Sequence, residues 1–314
     1  MLRMKEAELA ISHDGATSAV PLERVLGRMA SSFVEKLPMG LREMQASLAS
    51  DGCPLECTAL KDLVSYYQAR GARAPFHIVR FGGMELAVAP NQTRVAAQVG
   101  AAAVRMVQHW GIVGAKTLAE RAEVVSGGPV PIELVSKILG ALPATRWLDG
   151  SARQWFSFAQ RSNGLGDALD KVLSLNRKIP VTELRQALAK SYPSLVDAPE
   201  SVFERYLADV AGWSVEEGRP QDHAGRADAL TKPETILVGI LTAVGGQVGP
   251  AALRRQAAAA GLSDATLTRL LRFSPLVMRT PSDDVRLLGE AQDDTRITEA
   301  SRRPAPASRV QLAS

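Results

Sequence analysis

The sequence has few cysteines and few aromatic side chains. Cys53 and Cys57 are its two cysteines, and two thiols in a chain of 314 residues cannot form a disulfide framework. A tetrahedral zinc site needs four ligands, and the four histidines are scattered without paired spacing. We therefore expect two small buried thiols beside the start of a helix, with no bound metal and no cofactor.

Long apolar runs are also absent. No segment approaches the roughly 18 apolar residues that cross a bilayer, and the N-terminal residues lack the apolar region of a signal peptide. The hydrophobic content of 46% and the charged content of 22% are typical of a globular protein with substantial cores. We therefore expect a cytoplasmic protein.

Motifs of the common enzyme classes are missing as well. The chain has no G-x-x-x-x-G-K-[ST] phosphate loop, no G-x-S-x-G nucleophile elbow and no H-E-x-x-H helix. The glycine pair in SGGPVP, residues 126–131, lacks the lysine that a phosphate loop needs. The acidic pairs Asp283-Asp284 and Asp293-Asp294 have no third metal ligand beside them. We therefore predict that the protein is not an enzyme.

Positive charge is concentrated in two parts of the chain. The net charge is +4 and the isoelectric point is about 9.2, which leans toward polyanionic partners. Residues 91–160 hold 7 basic and 4 acidic side chains, and residues 230–314 hold 11 and 8. Residues 1–90 are balanced at 10 and 10, and residues 161–229 are acidic at 9 and 11.

These four segments repeat one pattern of helices. Each begins with an amphipathic stretch, in which apolar residues recur at intervals of three and four. A short segment with glycine, proline or a β-branched residue follows, and a second helix begins with an inward-facing leucine. Proline, serine or aspartate then marks the start of a third helix. The four inward leucines are Leu41, Leu118, Leu184 and Leu253.

Each repeat ends with two short strand-like segments joined by a turn. Gly82-Gly83 separates two such segments in the first repeat, and Asp149-Gly150 is expected to make the turn in TRWLDGSARQWFSFA of the second. The rings of Trp147, Trp155, Phe156 and Phe158 lie on the arms of that hairpin. We expect these rings to belong mainly to the core, because three short helices seal a small core poorly.

The predicted fold class is mostly α with short β-hairpins, arranged as a tandem array of four winged helix-turn-helix domains. The domains are predicted at residues 21–90, 91–160, 161–229 and 230–289. An N-terminal extension at residues 1–20 either lengthens the first helix or stays loose, and a polar tail at residues 290–314 is expected to be disordered. Residues 212–233 are too polar for a regular second arm, so a loop or linker is expected there.

The third repeat resembles a known family of winged-helix modules. The matching features are Arg161-Ser162-Asn163, Lys171-Val172-Leu173, Ile179-Pro180-Val181 before Glu183-Leu184-Arg185, and Gly212-Trp213. The repeat is similar to modules of the HARE type, which are related to the N-terminal domain of the RNA polymerase delta subunit. Similar tandem copies occur in bacterial sigma-factor-like DNA-binding proteins, so the resemblance implies a bacterial protein with a role in transcription regulation. The chain has no sigma-type promoter-reading segment, so promoter recognition is not implied.

The third helix of a winged helix usually enters the major groove of DNA, which requires exposed basic side chains. In the fourth repeat, arginines on this helix and on the helix before it meet that requirement. The second repeat is more thinly basic on its third helix and on neighbouring elements. The predicted DNA-binding residues are Ser263, Thr266, Arg269, Arg272, Arg254 and Arg255 in the fourth repeat, and Lys116, Arg121, Lys137, Arg153 and Gln154 in the second.

The first and third repeats are less suited to DNA. Glu200, Glu204 and Asp209 make the third helix of the third repeat acidic, and phosphates repel carboxylates. Our first hypothesis is a DNA-binding protein, serving transcription, chromosome structure or defence against mobile DNA, that contacts double-stranded DNA mainly through phosphates with its second and fourth repeats. The alternative is a scaffold whose winged helices, above all the first and third, dock protein partners without nucleic acid. The oligomeric state stays open.

Overall fold

The described part of the chain is mostly helical with small antiparallel sheets, which confirms the predicted α+β class. This computed structural model describes residues 4–5, 8–13, 16–21, 36–51, 55–69, 73–159, 162–175, 179–216, 219–221 and 230–288. Within these ranges no helix has both the length and the hydropathy needed to cross a membrane. Most of the predicted first helix, residues 22–35, and the predicted tail at 290–314 lie outside the described residues.

The N-terminal residues form a sheet. Strands β1 (Met4–Lys5), β2 (Glu8–His13) and β3 (Ala16–Pro21) pair antiparallel in the order β1-β2-β3. Our expectation of a helical or loose extension was therefore wrong. His13 pairs with Ala16, and the sequence between them reads Asp14-Gly15, a strong hairpin signal that was not recognised.

Internal contacts divide the chain into two compact units. Unit 1 comprises Met1–Leu165 and Asp197–Gly212, and unit 2 comprises Gly166–Val196 and Trp213–Ser314. The division passes through the predicted third repeat, residues 161–229, whereas the other three predicted repeats each fall within one unit.

The first repeat places two helices against a three-stranded sheet in unit 1. Its elements are β4 (Met39–Gly40), α1 (Leu41–Ser50), α2 (Cys57–Ala69), β5 (His77–Phe81) and β6 (Met84–Val88). Strand β6 lies between β4 and β5. Gly82 and Gly83 both have positive φ and make the tight turn predicted for them. Cys57 is half-buried and its thiol donates to Gln45 Oε1, whereas Cys53 lies outside the described residues.

The second repeat follows the same order and lies in unit 1. Its elements are α3 (Thr93–Trp110), β7 (Val113–Gly114), α4 (Ala115–Ser126), α5 (Ile132–Gly140), β8 (Thr145–Trp147) and β9 (Trp155–Phe158). Strand β9 lies between β7 and β8. Apolar residues at helical spacing on α3, such as Ala96, Val99, Ala103 and Val107, are fully buried. The periodicity of this helix is thus explained by one buried face.

The aromatic arms of the second repeat seal its core. Phe156 and Phe158 are fully buried, with ring centroids 5.8 Å apart, and Trp147 packs edge-on to Phe156 at 6.0 Å. The core prediction is therefore confirmed for the two phenylalanines. The predicted turn at Asp149-Gly150 was too short, because β8 ends at Trp147 and β9 begins at Trp155. A longer connection is stable because the Asp149 carboxylate accepts the backbone N–H groups of Gln154 and Trp155.

One hydrophobic core joins the first two repeats. Val79, Phe81, Leu86 and Val88 of the β5–β6 hairpin belong to the same buried cluster as the helices and rings of the second repeat. Phe81 reaches this cluster because Gly100 on α3 has no side chain: a Cβ there would lie 2.4 Å from the ring. The core thus crosses the predicted boundary at residue 90.

The third repeat contributes helices to both units. Helices α6 (Gly164–Leu175), α7 (Val181–Ala189) and α8 (Ser194–Asp197) precede α9 (Glu200–Asp209). Strands β10 (Ser214–Glu216) and β11 (Arg219–Gln221) pair as a hairpin. The expectation of an irregular loop was therefore wrong for these residues. Glu216 pairs with Arg219, and the polarity of this segment is the reason why a regular second arm was not expected.

The fourth repeat lies in unit 2 and again shows the same order. Its elements are α10 (Lys232–Ala243), β12 (Gln247–Val248), α11 (Pro250–Ala259), α12 (Asp264–Phe273), β13 (Val277–Arg279) and β14 (Val285–Leu287). Strand β14 lies between β12 and β13. All four predicted inward leucines are buried, with exposed fractions of 3% for Leu41 and 0% for Leu118, Leu184 and Leu253.

Polar contacts within unit 2 tie α6 and α7 to the fourth repeat. The Lys171 ammonium on α6 donates to the Glu234 carboxylate on α10 at 3.1 and 3.2 Å. Arg286 on β14 donates to Glu183 on α7 at 2.5 Å. After α7, the Lys190 ammonium donates to the Val277 carbonyl and the Ser191 hydroxyl donates to the Phe273 carbonyl. These bonds fix α12 and its neighbours against α7.

Candidate nucleic-acid interface

In unit 1, a cleft of about 550 Å³ lies beside α5, the third helix of the second repeat. We name it the α5 cleft. Its polar lining comes from α5, from β8 and the β8–β9 connection, and from residues around β4. The polar and charged side chains that line it are Lys36, Glu43, Ser136, Lys137, Thr145 and Arg153.

The amphipathic pattern of α5 turns Lys137 toward this cleft. Val135, Ile138 and Leu139 are fully buried, so the intervening Ser136 and Lys137 face outward. Arg153 has a positive φ of 50°, and its guanidinium carbon lies 6.0 Å from the centre of the Trp147 ring. That distance is typical of a cation–π contact, which holds the charge beside α5.

The α5 cleft carries more positive than negative charge. Lys36, Lys137 and Arg153 supply three cations, and Glu43 supplies the one carboxylate among its lining residues. Lys36 belongs to the first repeat and was missed, because its approach depends on packing between distant parts of the chain. Gly40 explains the approach: a Cβ there would lie 3.0 Å from the Ala141 carbonyl oxygen, so β4 and the end of α5 nearly touch.

Other residues predicted for the second repeat lie elsewhere. Lys116 is exposed in the first turn of α4, outside the lining of the α5 cleft. The backbone of Gln154 is hydrogen-bonded within the fold. Its N–H donates to the Asp149 carboxylate, and its carbonyl accepts the Ala115 N–H at 2.7 Å. Arg121 lines a different groove between α3 and α4. The structure therefore brings Lys137 and Arg153 together and separates the other three from them.

In unit 2, a groove of about 290 Å³ runs beside α12. We name it the α12 groove. It is formed by the outward side of α12 with one residue from α11 and one from β13. The residues that line it are Arg254, Leu267, Thr268, Leu271, Arg272 and Arg279.

The predicted face of α12 divides between two sides of the helix. Residues three apart are rotated by about 60° from alignment at each step, so Ser263 and Arg272 point in nearly opposite directions. Ser263 is the N-cap: its hydroxyl oxygen accepts the Thr266 N–H at 3.2 Å and lies 2.9 Å from the Thr266 hydroxyl. Arg269 and Arg255 are exposed outside the lining of the groove. Of the predicted set, Arg254 and Arg272 therefore share the groove.

The arginines of the α12 groove differ in their partners. Arg254 lies 3.6 Å from Asp264, and Arg279 lies 2.6 Å from Asp283; all four side chains are largely exposed, so these ion pairs are weak. Arg272 stacks at 5.1 Å on the Phe273 ring and has no carboxylate partner among the described residues. Arg272 is therefore the cation of this groove that is best placed for an external anion.

Lys190 adds a further positive group near β13. Its ammonium donates to the Val277 carbonyl, and burial together with the charge of Arg279 lowers the pKa of Lys190. Burial is the larger of the two causes, and the nearby charge of Arg279 adds to it. Arg279 was not predicted, because a strand residue joins a helical face only after folding, and Thr268 of α12 was not predicted either.

The first and third repeats lack comparable clusters among the described residues. The Lys61 ammonium on α2 forms a salt bridge of 2.8 Å with the Glu85 carboxylate on β6. The hydrogen bond from Lys61, with the charges of Lys61 and Arg80, holds the pKa of Glu85 below its usual range against the burial that raises it. On α9, Arg205 lies 3.8 Å from Asp209 beside other carboxylates. Lys61 and Arg205 therefore already have carboxylate partners.

The two clusters share one chemistry. Each places lysine or arginine side chains at a third helix and at the following strands or connection, with exposed hydroxyls or apolar surface between them. Such sites suit the spaced negative charges of a phosphate backbone. The sequence matches no protein-family model and no curated protein, so geometry and chemistry alone support a function.

Proposed function

We propose that the protein binds double-stranded DNA as an array of four winged-helix modules, with the α5 cleft and the α12 groove as its phosphate-contacting sites. The architecture is supported by a recurring order of short strand, helix, helix, strand and strand. In three repeats the last strand lies between the other two. In winged-helix proteins the second helix of such a pair enters the major groove. Helices α5 and α12 hold this place in their repeats.

The observation that carries the proposal is the convergence of Lys36, Lys137 and Arg153 in the α5 cleft. These residues come from three separate segments, and one carboxylate accompanies three cations. Contacts of this kind bind the DNA backbone and give little sequence discrimination. We therefore place the protein among transcription-regulating, chromosome-associated or defence-associated DNA-binding proteins of bacteria, and we assign it no catalytic role.

The first prediction concerns the α5 cleft. Lys137→Ala with Arg153→Ala is expected to weaken binding to a random-sequence duplex about tenfold at moderate salt. The slope of log affinity against log salt should fall by about two, because two phosphate contacts are lost. Fluorescence anisotropy of a labelled 30-base-pair duplex at a series of salt concentrations measures both quantities.

A matched control removes two charges from elsewhere in unit 1. Arg42 and Arg73 are exposed and line neither cluster, so Arg42→Ala with Arg73→Ala should leave affinity within about twofold of the wild type. Absence of duplex binding by the wild-type protein at low salt would overturn the proposed function. Equal losses of duplex affinity in the two double variants would show that the α5 cleft is not a DNA-contacting site.

The second prediction separates two arginines of one helix. Arg272→Ala should weaken duplex binding about threefold to tenfold and reduce the salt slope by about one, whereas Arg269→Ala should have at most a twofold effect. The reason is that Arg272 lines the α12 groove and Arg269 does not. Both substitutions remove the same charge from an exposed helix surface. Unchanged affinity in both variants would exclude the fourth repeat from DNA contact.

The alternative function is a protein scaffold without nucleic-acid binding. The observation that favours it is the pairing of Lys61 in the first repeat and Arg205 in the third repeat with carboxylates. The same anisotropy experiment decides between the two functions, because a scaffold predicts no salt-dependent affinity for duplex DNA.

A further inference from the structure

Unit 1 has a second surface groove, between the first two helices of the second repeat. It encloses about 790 Å³, and we name it the α3–α4 groove. None of its lining residues belongs to α5 or to the α5 cleft. The lining residues are Ala97, Gln98, Ala101, Ala102, Arg105, Met106, His109 and Trp110 on α3, and Thr117, Glu120, Arg121, Val124 and Val125 on α4.

The groove exists because α3 presents small side chains where it faces α4. Ala97 and Ala101 are one helical turn apart on the same side of α3. The Gln98 side chain donates to the Val125 carbonyl at 3.4 Å, so the first half of α3 lies beside the end of α4. The alanines are too short to fill the space between the two helices, and a long channel stays open on the surface.

Two strongly exposed apolar side chains line the groove. Val124 is 76% exposed and Val125 is 50% exposed, and both line the groove. Met106 and Trp110 line it farther along α3. From Ala97 to Trp110 the groove follows about 20 Å of helix at 1.5 Å per residue, which is the length of three to four turns of a docked helix.

Two arginines stand on opposite sides of this apolar channel. Arg105 projects from α3 and Arg121 from α4, and neither has a carboxylate partner among the described residues. Glu120 is the one carboxylate in the lining. The channel therefore combines an apolar floor with an excess of positive charge at its rim, which selects a partner that is both apolar and acidic.

We propose that the α3–α4 groove binds an amphipathic helix of a protein partner, in which acidic residues flank the apolar stripe. A helix places apolar side chains at intervals of three and four along one side, which matches a long, narrow apolar channel. Acidic residues beside that stripe meet Arg105 and Arg121. A DNA backbone has the complementary charge but no apolar surface to cover the two valines. This binding surface is additional to the proposed DNA contacts.

The test uses two synthetic helical peptides with the full-length protein. Both carry leucines at positions i, i+3, i+4 and i+7 of an 18-residue helix; one has glutamates beside the stripe, and the other has lysines in the same places. Fluorescence anisotropy should show at least tenfold tighter binding of the glutamate peptide, because charge repulsion at the rim opposes the lysine peptide. Equal affinities would overturn the acidic character of the partner, and binding of neither peptide would overturn the proposal.

Charge reversal in the groove should reverse the preference. Arg105→Glu with Arg121→Glu is expected to bind the lysine peptide more tightly than the glutamate peptide, whereas Arg42→Glu with Arg73→Glu should keep the wild-type preference. Val124→Glu should weaken binding of the glutamate peptide at least tenfold. The fold should tolerate this substitution because the Val124 side chain is 76% exposed. Circular dichroism confirms that each variant is folded. If both charge-reversed double variants preferred the lysine peptide, the preference would follow the total charge of the protein. The assignment of peptide binding to this groove would then be overturned.

Two other occupants give distinct results. If a second copy of the chain covers the groove, sedimentation should show a wild-type dimer that Val124→Glu converts to a monomer, and the proposal of a separate partner would be overturned. If duplex DNA occupies the groove, Val124→Glu should weaken duplex binding as strongly as peptide binding, and a protein helix would be excluded. Duplex affinity unchanged in Val124→Glu, with peptide affinity lost, supports the proposal.

Discussion

Replacing Gly100 by alanine is expected to destabilise unit 1 by about 1–3 kcal/mol, although alanine normally stabilises the interior of a helix by about 1 kcal/mol relative to glycine. The sign reverses because the new Cβ would lie 2.4 Å from the Phe81 ring, which is 7% exposed and packed in the core. The ring is rigid and packed among buried side chains. Either the helix or the β5–β6 hairpin must move.

Hydrogen exchange of α3 and the β5–β6 hairpin measures this effect in the intact protein. Gly239 on α10 is the matched control, since it is exposed and a Cβ there meets no atom within 4 Å. Gly239→Ala should therefore stabilise α10 by about 0.5–1 kcal/mol. Combining Gly100→Ala with Phe81→Leu should cost less than the sum of the two single changes, because the smaller side chain makes room. Unaltered or increased protection in Gly100→Ala would contradict the packing argument.

Replacing Glu234 by alanine is expected to destabilise unit 2 by about 2–3 kcal/mol. Glu234 is 5% exposed and completes a capping box, in which its carboxylate accepts the Thr231 N–H at 2.8 Å and the Thr231 hydroxyl at 2.7 Å. The same carboxylate neutralises Lys171 on α6. Alanine removes the helix cap and leaves the ammonium without its partner. Urea-induced unfolding measures the loss of stability, and hydrogen exchange of α6 and α10 locates it.

An exposed ion pair of the same unit provides the comparison. Glu183→Ala breaks the bond to Arg286, but both side chains contact water, so the cost should stay below about 1 kcal/mol. Equal losses in the Glu234 and Glu183 variants would show that burial contributes nothing to the first pair.

The Glu234 contacts also predict a dependence on pH. Burial raises the pKa of Glu234, but the hydrogen bonds from Thr231 and the charge of Lys171 outweigh it and hold the pKa below the ordinary value of 4.5. A carboxyl group with a lowered folded-state pKa adds stability above its unfolded-state pKa, and that stability is lost as the pH falls through the folded-state value. The stability difference between wild type and Glu234→Gln should therefore be full at neutral pH and shrink below about pH 4.5. A difference that stays constant down to pH 3 would contradict this linkage.

Local patterns of the sequence predicted much of the backbone. Helical spacing located the buried leucines of all four repeats, and Gly82-Gly83 located a tight turn, because each signal depends on neighbouring residues. The hairpin at residues 8–21 was missed although the sequence there contains the hairpin signal Asp14-Gly15, and the second arm of the hairpin at residues 214–221 was not expected because the segment is polar.

The candidate sites were only partly predictable, for a different reason. Lys137 and Arg153 were recognisable from charge on a third helix and on a hairpin connection. Lys36 and Arg279 were not, because they join their clusters through packing between segments far apart in the chain. The shared face predicted for α12 ignored the rotation between residues three apart and the capping role of Ser263.

The core shared by the β5–β6 hairpin and α3 limits where the gene can be divided. An expression fragment that stops near residue 90 would leave Phe81 and Val88 facing water, and one that starts at Arg94 would lack the ring that packs on Gly100. Both fragments should aggregate or resist purification. In evolution, these two repeats must therefore be duplicated, exchanged or transplanted as a pair.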